Sequence, residues 1–155
     1  MIKLEDSIEI RASARDVYAR LVEFLSSRES YRAWHPEHVE LRWTRGEPMR
    51  EGSVLYVEEY LQGHLHPLTY RITRIVPNEL VAYRPLFPLS IISTGNAFRI
   101  DAIDEARCTF SADGVIRFPL WLFKKLSKNH EGKLAASKQH MKEEGENLKK
   151  AAESQ

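Results

Sequence analysis

One long run of helix-forming residues, Leu134 to Ala152, ends a chain that otherwise reads as short strands and turns. Ala, Leu, Lys, Glu, Gln and Met dominate it, Pro119 suits a first helical turn upstream, and Gly132 and Gly145 are its weak points. Leu126, Leu134, Met141, Leu148 and Ala152 trace one apolar stripe, so this helix needs a surface to lie on. Glu144 falls inside the stripe and His140 at its margin. Four residues apart, they point towards the same covered space. A solvated ion pair on a charged helix is the plainer account; a pair of metal ligands is the other, and it needs partners from elsewhere in the chain.

The upstream segments supply the surface. Lys3 to Arg11 alternates as a strand, with Leu4, Ile8 and Ile10 set against Asp6, Glu9 and Arg11. Ser13 and Asp16 form a capping-box-like start for a helix over Ala14 to Leu25, whose apolar face is Val17, Leu21, Phe24 and Leu25. The aromatic, proline-broken stretch Tyr31 to His38 suits a short helix or loop at a rim. Val39, Leu41 and Trp43 then alternate with Glu40, Arg42 and Thr44 as a second strand, which on simple alternation puts His38 opposite Leu41 and Trp43.

The third strand, Ser53 to Gln62, places Glu59 on one face with Leu55, Val57 and Leu61, and Tyr56 and Tyr60 on the other. A carboxylate among aliphatic side chains requires a cation or a hydrogen-bond network. His64 to Val76 continues as a strand with His64, His66, Leu68, Tyr70 and Ile72 in phase. Neutral histidines there, beside Tyr70, could line a cavity and act as general acid or base; exposed strand histidines are the bland alternative. Pro77-Asn78 reads as a turn, Leu80 to Tyr83 as a short strand and Pro85 to Leu89 as a rigid apolar loop. Ile91 to Ile103 and Arg107 to Phe118 pair through the turn at Asp104-Glu105, with Arg99 and Asp101 as a same-face ion pair. The apolar run Phe118 to Leu126 fits a helix start packed on the sheet better than a membrane contact.

Charge excludes some function classes. With 23 basic and 22 acidic side chains there is no electrostatic case for nucleic acid. The lone Cys108 cannot form an internal disulfide and suits a buried strand position. Acidic residues occupy the place of a signal peptide's apolar core, and no apolar run is long enough to span a bilayer. The expectation is one domain over residues 1–155, cytoplasmic, monomeric or homodimeric.

A strand, two short helices, six further antiparallel strands and a long terminal helix make an α+β order in which a curved sheet wraps the helix. With the opening IEIRASARDVYARLVEF, this order resembles the helix-grip superfamily of the birch-pollen allergen, the START lipid-transfer domains and the polyketide cyclases. The resemblance implies a seven-stranded curved antiparallel sheet around the C-terminal helix, enclosing a deep apolar cavity for a hydrophobic or aromatic small molecule.

A narrower resemblance lies in three segments: Tyr31 to His38, Val57 to Gly63 and His140 to Glu144. They look like the metal-binding segments of the diacetylphloroglucinol and phloretin hydrolases, zinc enzymes of this fold that cleave an acyl group from a phenolic ring. The chain is much shorter than those enzymes, and its Pro36-to-His38 spacing is one residue tighter. The resemblance implies a divalent metal, zinc as in that family, on His38, Glu59, His140 and Glu144, with His35 as the substitute for His38. His64, His66 and Tyr70, in phase on the fourth strand, are the candidates for proton transfer on the alternation alone. Two imidazoles and two carboxylates are a suitable set for zinc and would also admit iron or manganese. The reading that follows is a metal-dependent carbon–carbon hydrolase; its alternatives are a carrier of a hydrophobic small molecule and a metal-free cyclase or dehydratase.

Overall fold

The computed structural model describes residues 2–117 apart from 88 and 92, the single positions 121 and 125, and residues 130–154, with side chains 130 and 131 left out. Its elements are β1 (Ile2–Ile10), α1 (Ala14–Phe24), α2 (Arg28–Trp34), β2 (His38–Arg45), β3 (Val54–Leu61), β4 (His64–Val76), β5 (Leu80–Pro85), β6 (Ser93–Asp104), β7 (Arg107–Ile116) and α3 (His130–Glu153). The strands form one antiparallel sheet in the order β1-β7-β6-β5-β4-β3-β2. Pro119 and Leu126, expected to begin the terminal helix, lie outside the described residues.

Local chemistry sets most of these boundaries. Ser13 caps α1 by accepting the Asp16 amide, and Ser27 caps α2 by accepting the Ser30 amide. At the β3–β4 hairpin both turn residues have positive φ, Gln62 at 54° and Gly63 at 76°, the geometry whose twist suits a two-residue connection. That turn fixes the register, and Glu59 comes to face His66 across the strands.

α3 lies across the sheet, chiefly on β1, and touches α1 along its flank. Leu148 and Ala152 are buried there with Ile10, Val17, Leu21, Cys108 and Phe110. Gly145 sits at the closest approach, where a Cβ would stand 3.4 Å from Ile8 Cγ2 and 3.8 Å from Asp6 Oδ2. Those are ordinary contacts, so the helix-propensity gain decides the sign: Gly145→Ala should stabilise the fold by about 0.5–1 kcal/mol. Chemical denaturation checks this, and a loss of stability would mean the helix cannot yield a few tenths of an ångström.

Two sequence expectations need correction. Arg99 pairs across to Asp113 on β7, at 3.1 Å, instead of with Asp101 on its own strand. His38 does not lie opposite Leu41: the β2–β3 register slips between His38 and Glu40, so His38 faces Glu59 while Leu41 faces Val57. The extra residue of that bulge turns the imidazole onto the concave face, which simple alternation could not foresee.

Candidate metal centre at the cavity wall

The concave face and α3 enclose a cavity of about 190 Å³, lined by Leu55, Val57, Ile72, Val81, Phe98 and Met141 among others. At about 30 Å³ of liquid volume per water, that is room for about six waters, or a compact ring compound in their place. Trp34 forms part of its wall. Trp43 is tied by its indole N–H to the Leu25 carbonyl, and Trp121 is 66% exposed.

Into this apolar wall three elements bring four polar side chains together. β2 supplies His38, β3 supplies Glu59, and one turn of α3 supplies His140 and Glu144. His38 and His140 are 2% and 5% exposed. His38 Nε2 stands 2.9 Å from Glu144 Oε2, 3.3 Å from His140 Nε2 and 3.9 Å from Glu59 Oε2. His140 Nε2 is 3.3 Å from Glu144 Oε2 and 3.6 Å from Glu59 Oε2. Ligand atoms about 2.0–2.1 Å from a tetrahedral zinc stand about 3.3 Å from one another, the middle of this range.

The surroundings decide what each imidazole offers. The Nδ1 of His38 lies 2.8 Å from the Tyr31 carbonyl, which can only accept, so that nitrogen carries the proton. Nδ1 of His140 faces Glu37 Oε1 at 3.2 Å and donates in the same way. With Nδ1 so committed, the Nε2 atoms of both rings turn towards one point, where two carboxylates also converge. Four acceptors aimed at one another call for protons or a cation, and an outer carbonyl or carboxylate on each imidazole is the usual support of a metal ligand. The donor set fits a divalent metal.

Packing holds the cluster in place. The Tyr31 ring stacks on His38 at 3.7 Å with 3° between planes, and its hydroxyl donates to Glu59 Oε2 at 3.0 Å. The Trp34 indole N–H donates to the Glu144 carbonyl at 2.9 Å, and Asn147 Nδ2 donates to the Trp34 carbonyl. These bonds tie α2 to α3 beside the ligands.

Without metal the cluster stores protons. Burial alone would lower the His140 pKa, but the hydrogen bond to Glu144, the charges of Glu144 and Glu59, and the hydrogen bond to Glu37 raise it to about 10. Burial would raise the Glu144 pKa, yet the His140 and His38 contacts hold it well below the usual carboxylate range. Relative to unfolded values of 6.5 and 4.5, His140 stabilises fully below about pH 6.5 and less as pH rises to about 10; Glu144 stabilises above about 4.5. Metal-stripped protein should accordingly lose melting temperature between pH 6.5 and 10, while added zinc should stabilise more as pH rises because protons compete for its ligands. Thermal melts across that range would contradict this if the stripped protein gained stability.

His35 is adjacent but differently committed. Its Nδ1 accepts the Glu37 backbone N–H at 2.9 Å, so its Nε2 carries the proton and donates to Glu143 Oε1 at 3.1 Å. In that arrangement its Nε2 turns to a second cluster, His35, Glu37 and Glu143, while ring nitrogens of His35, His38 and His140 also lie within 4.8 Å of one another. Of the proton-transfer candidates, Tyr70 lines the cavity, whereas His64 is exposed, His66 is partly exposed, and neither belongs to the lining. Burial, then the charges of Glu59 and Glu144, push the Tyr70 pKa far up, so it stays a neutral donor. Sequence reasoning did not find Glu37, Tyr31, Tyr83 or Asn96. Glu37 comes from the α2–β2 connection, where no periodicity marks a direction.

A curved antiparallel sheet gripping its terminal helix over an apolar cavity defines the helix-grip class of cavity proteins. The chain belongs to the family described as polyketide cyclase / dehydrase and lipid transport, whose model matches residues 1–153. It is similar in fold to the Zhui aromatase/cyclase from Streptomyces sp. R1128, at 19% identity, covering 98% of this chain and 93% of that one, TM-score 0.73. Truncated norcoclaurine synthase from Thalictrum flavum matches at 10% identity over 97% and 92% of the two chains, TM-score 0.71. Major latex-like protein 151 from Panax ginseng matches at 15% identity over 97% of each, TM-score 0.63. No curated protein sequence matches the chain. Among the described residues, no helix is long and apolar enough to cross a membrane.

Proposed function

We propose that the protein is a divalent-metal enzyme acting on a hydrophobic carbonyl compound, with zinc the natural occupant, and that its reaction is hydrolytic removal of an acyl group from a phenolic ring. The observation that carries this reading is the convergence of two imidazole Nε2 atoms and two carboxylates on one point of a cavity wall. His38, His140, Glu59 and Glu144 would hold the metal. When bound, a divalent cation supplies Lewis acidity towards a carbonyl oxygen and lowers the pKa of a water.

The chain's own residues would do the rest. The apolar lining orients the ring and excludes bulk water from the carbonyl. In the overall reaction water adds to the acyl carbon, the bond from that carbon to the ring breaks, and the ring carbon gains a proton as a carboxylic acid leaves. Tyr70, neutral and close enough to feel Glu59 and Glu144, is placed to donate a hydrogen bond to an oxygen on which charge develops.

One contact favours a second reading. The 2.9 Å His38–Glu144 pair, with a protonated His140 beside it, could act without metal as an acid–base group for a cyclase or dehydratase, the chemistry named in the family description. A panel of acylated phenols, incubated with and without chelator, separates the two. Chelator-sensitive release of the acid supports the hydrolase; no release with metal-loaded protein counts against it, and ring closure that survives chelation favours the second reading.

A further inference from the structure

Beyond the cluster, the cavity carries hydrogen-bonding groups that the proposed reaction does not use. We propose that Tyr83 and Asn96 form a second polar subsite, which takes an oxygen group of the ligand other than the one at the His/Glu cluster. The ligand class is then a compact ring compound with two separated oxygen functions, in preference to an aliphatic chain. The proposal rests on the cavity being the ligand site, as in the proposed function, but not on the metal.

Tyr83 and Asn96 face each other across β5 and β6, and both line the cavity. Asn96 also faces Gly114 on β7, where a Cβ would overlap Asn96 Oδ1; the bare glycine is the room that the amide occupies. Neither the Tyr83 hydroxyl nor the Asn96 amide hydrogen-bonds to another of the described residues. The Tyr83 ring is held at 5.0 Å edge-on to Tyr70 and at 5.3 Å from Phe98, so its hydroxyl is presented on a rigid ring. Burial, and then Tyr70, raise its pKa well above the ordinary phenol value, which leaves it a neutral donor.

Polar groups in an apolar wall are costly when unpartnered, so a ligand that satisfies them is favoured over one that merely fills the space. Tyr70 meets Tyr83 edge-on, and both rings lie within the field of Glu59 and Glu144. Val81 and Phe98 add apolar lining to the same cavity. A fatty chain could pair its carboxylate at one end only. A ring with two oxygens could pair at both.

The test is calorimetric titration of chelator-free protein with 1-naphthol, 1,5-dihydroxynaphthalene and decanoate, on wild type, Tyr83→Phe, Asn96→Leu, Gly114→Ala and Glu144→Ala. One neutral hydrogen bond corresponds to about 3- to 12-fold in affinity, so wild type should prefer the dihydroxy compound to 1-naphthol by that factor. Tyr83→Phe and Asn96→Leu should each erase most of the preference while leaving 1-naphthol affinity, metal content and melting temperature in place. Gly114→Ala should act like Asn96→Leu by displacing the amide. Equal binding of both naphthalenes by wild type, tighter binding of decanoate, failure of all three to bind, or equal losses for both naphthalenes in the variants would overturn the subsite. If wild type carries no metal and takes up none while the Tyr83 and Asn96 effects appear, the metal reading fails and the subsite stands.

Discussion

Glu144→Ala should lose zinc affinity by well over 100-fold while the protein stays folded. Glu144 contacts both imidazoles, at 2.9 Å to His38 and 3.3 Å to His140, so its loss removes one ligand and the charge that balances the others. Loss of an outer partner of a metal ligand alone weakens binding about 10- to 100-fold, and that smaller effect is expected of Glu37→Gln, which frees His140 Nδ1. His35→Ala should leave affinity closer to wild type than either, because the His35 Nε2 proton is given to Glu143. Competition titration with a chromogenic chelator ranks the three variants. An order with His35→Ala weakest would transfer the ligand role from His38 to His35.

The largest stability effect should come from Trp34→Ala. Trp34 is 1% exposed, stacks on Phe24 at 5.5 Å, meets His38 and Phe98 edge-on, and donates its indole N–H to the Glu144 carbonyl. Truncating a buried aromatic of this size typically costs about 3–5 kcal/mol, before the carbonyl left without its donor is counted. Trp34 also fixes the turn of α3 that carries Glu144. Urea denaturation of metal-stripped Trp34→Ala should therefore show a loss in that range, and metal affinity should fall with it. A loss under 1 kcal/mol would mean that α2 and α3 are held together by other contacts.

The residues that could be read from sequence are those whose direction follows from a regular period. Glu59 and Glu144 are of this kind: a strand alternates and a helix repeats, so an acid among aliphatic neighbours declares itself. The fold was legible for the same reason, since capped helices, alternating strands and a long terminal helix point to one arrangement. His38 was legible only through resemblance, because one extra residue in β2 reverses its face. Choosing between His35 and His38 required knowing which ring nitrogen meets a carbonyl and which meets an amide, and that depends on the path of the α2–β2 connection. His64 and His66 have the right alternation, yet only their β3 partners Leu61 and Glu59 reach the cavity lining. Period gives a face; it does not give depth.

The central claim is that three elements of this fold meet to hold a divalent cation. Elemental analysis of untagged protein, purified without chelator and then dialysed against trace zinc, tests it most directly. The expected result is about one equivalent of metal per chain, with the second cluster around His35, Glu37 and Glu143 contributing none. Protein that carries no metal and takes up none would contradict the account, and the buried histidines and glutamates would then be left with protons as their only common partner.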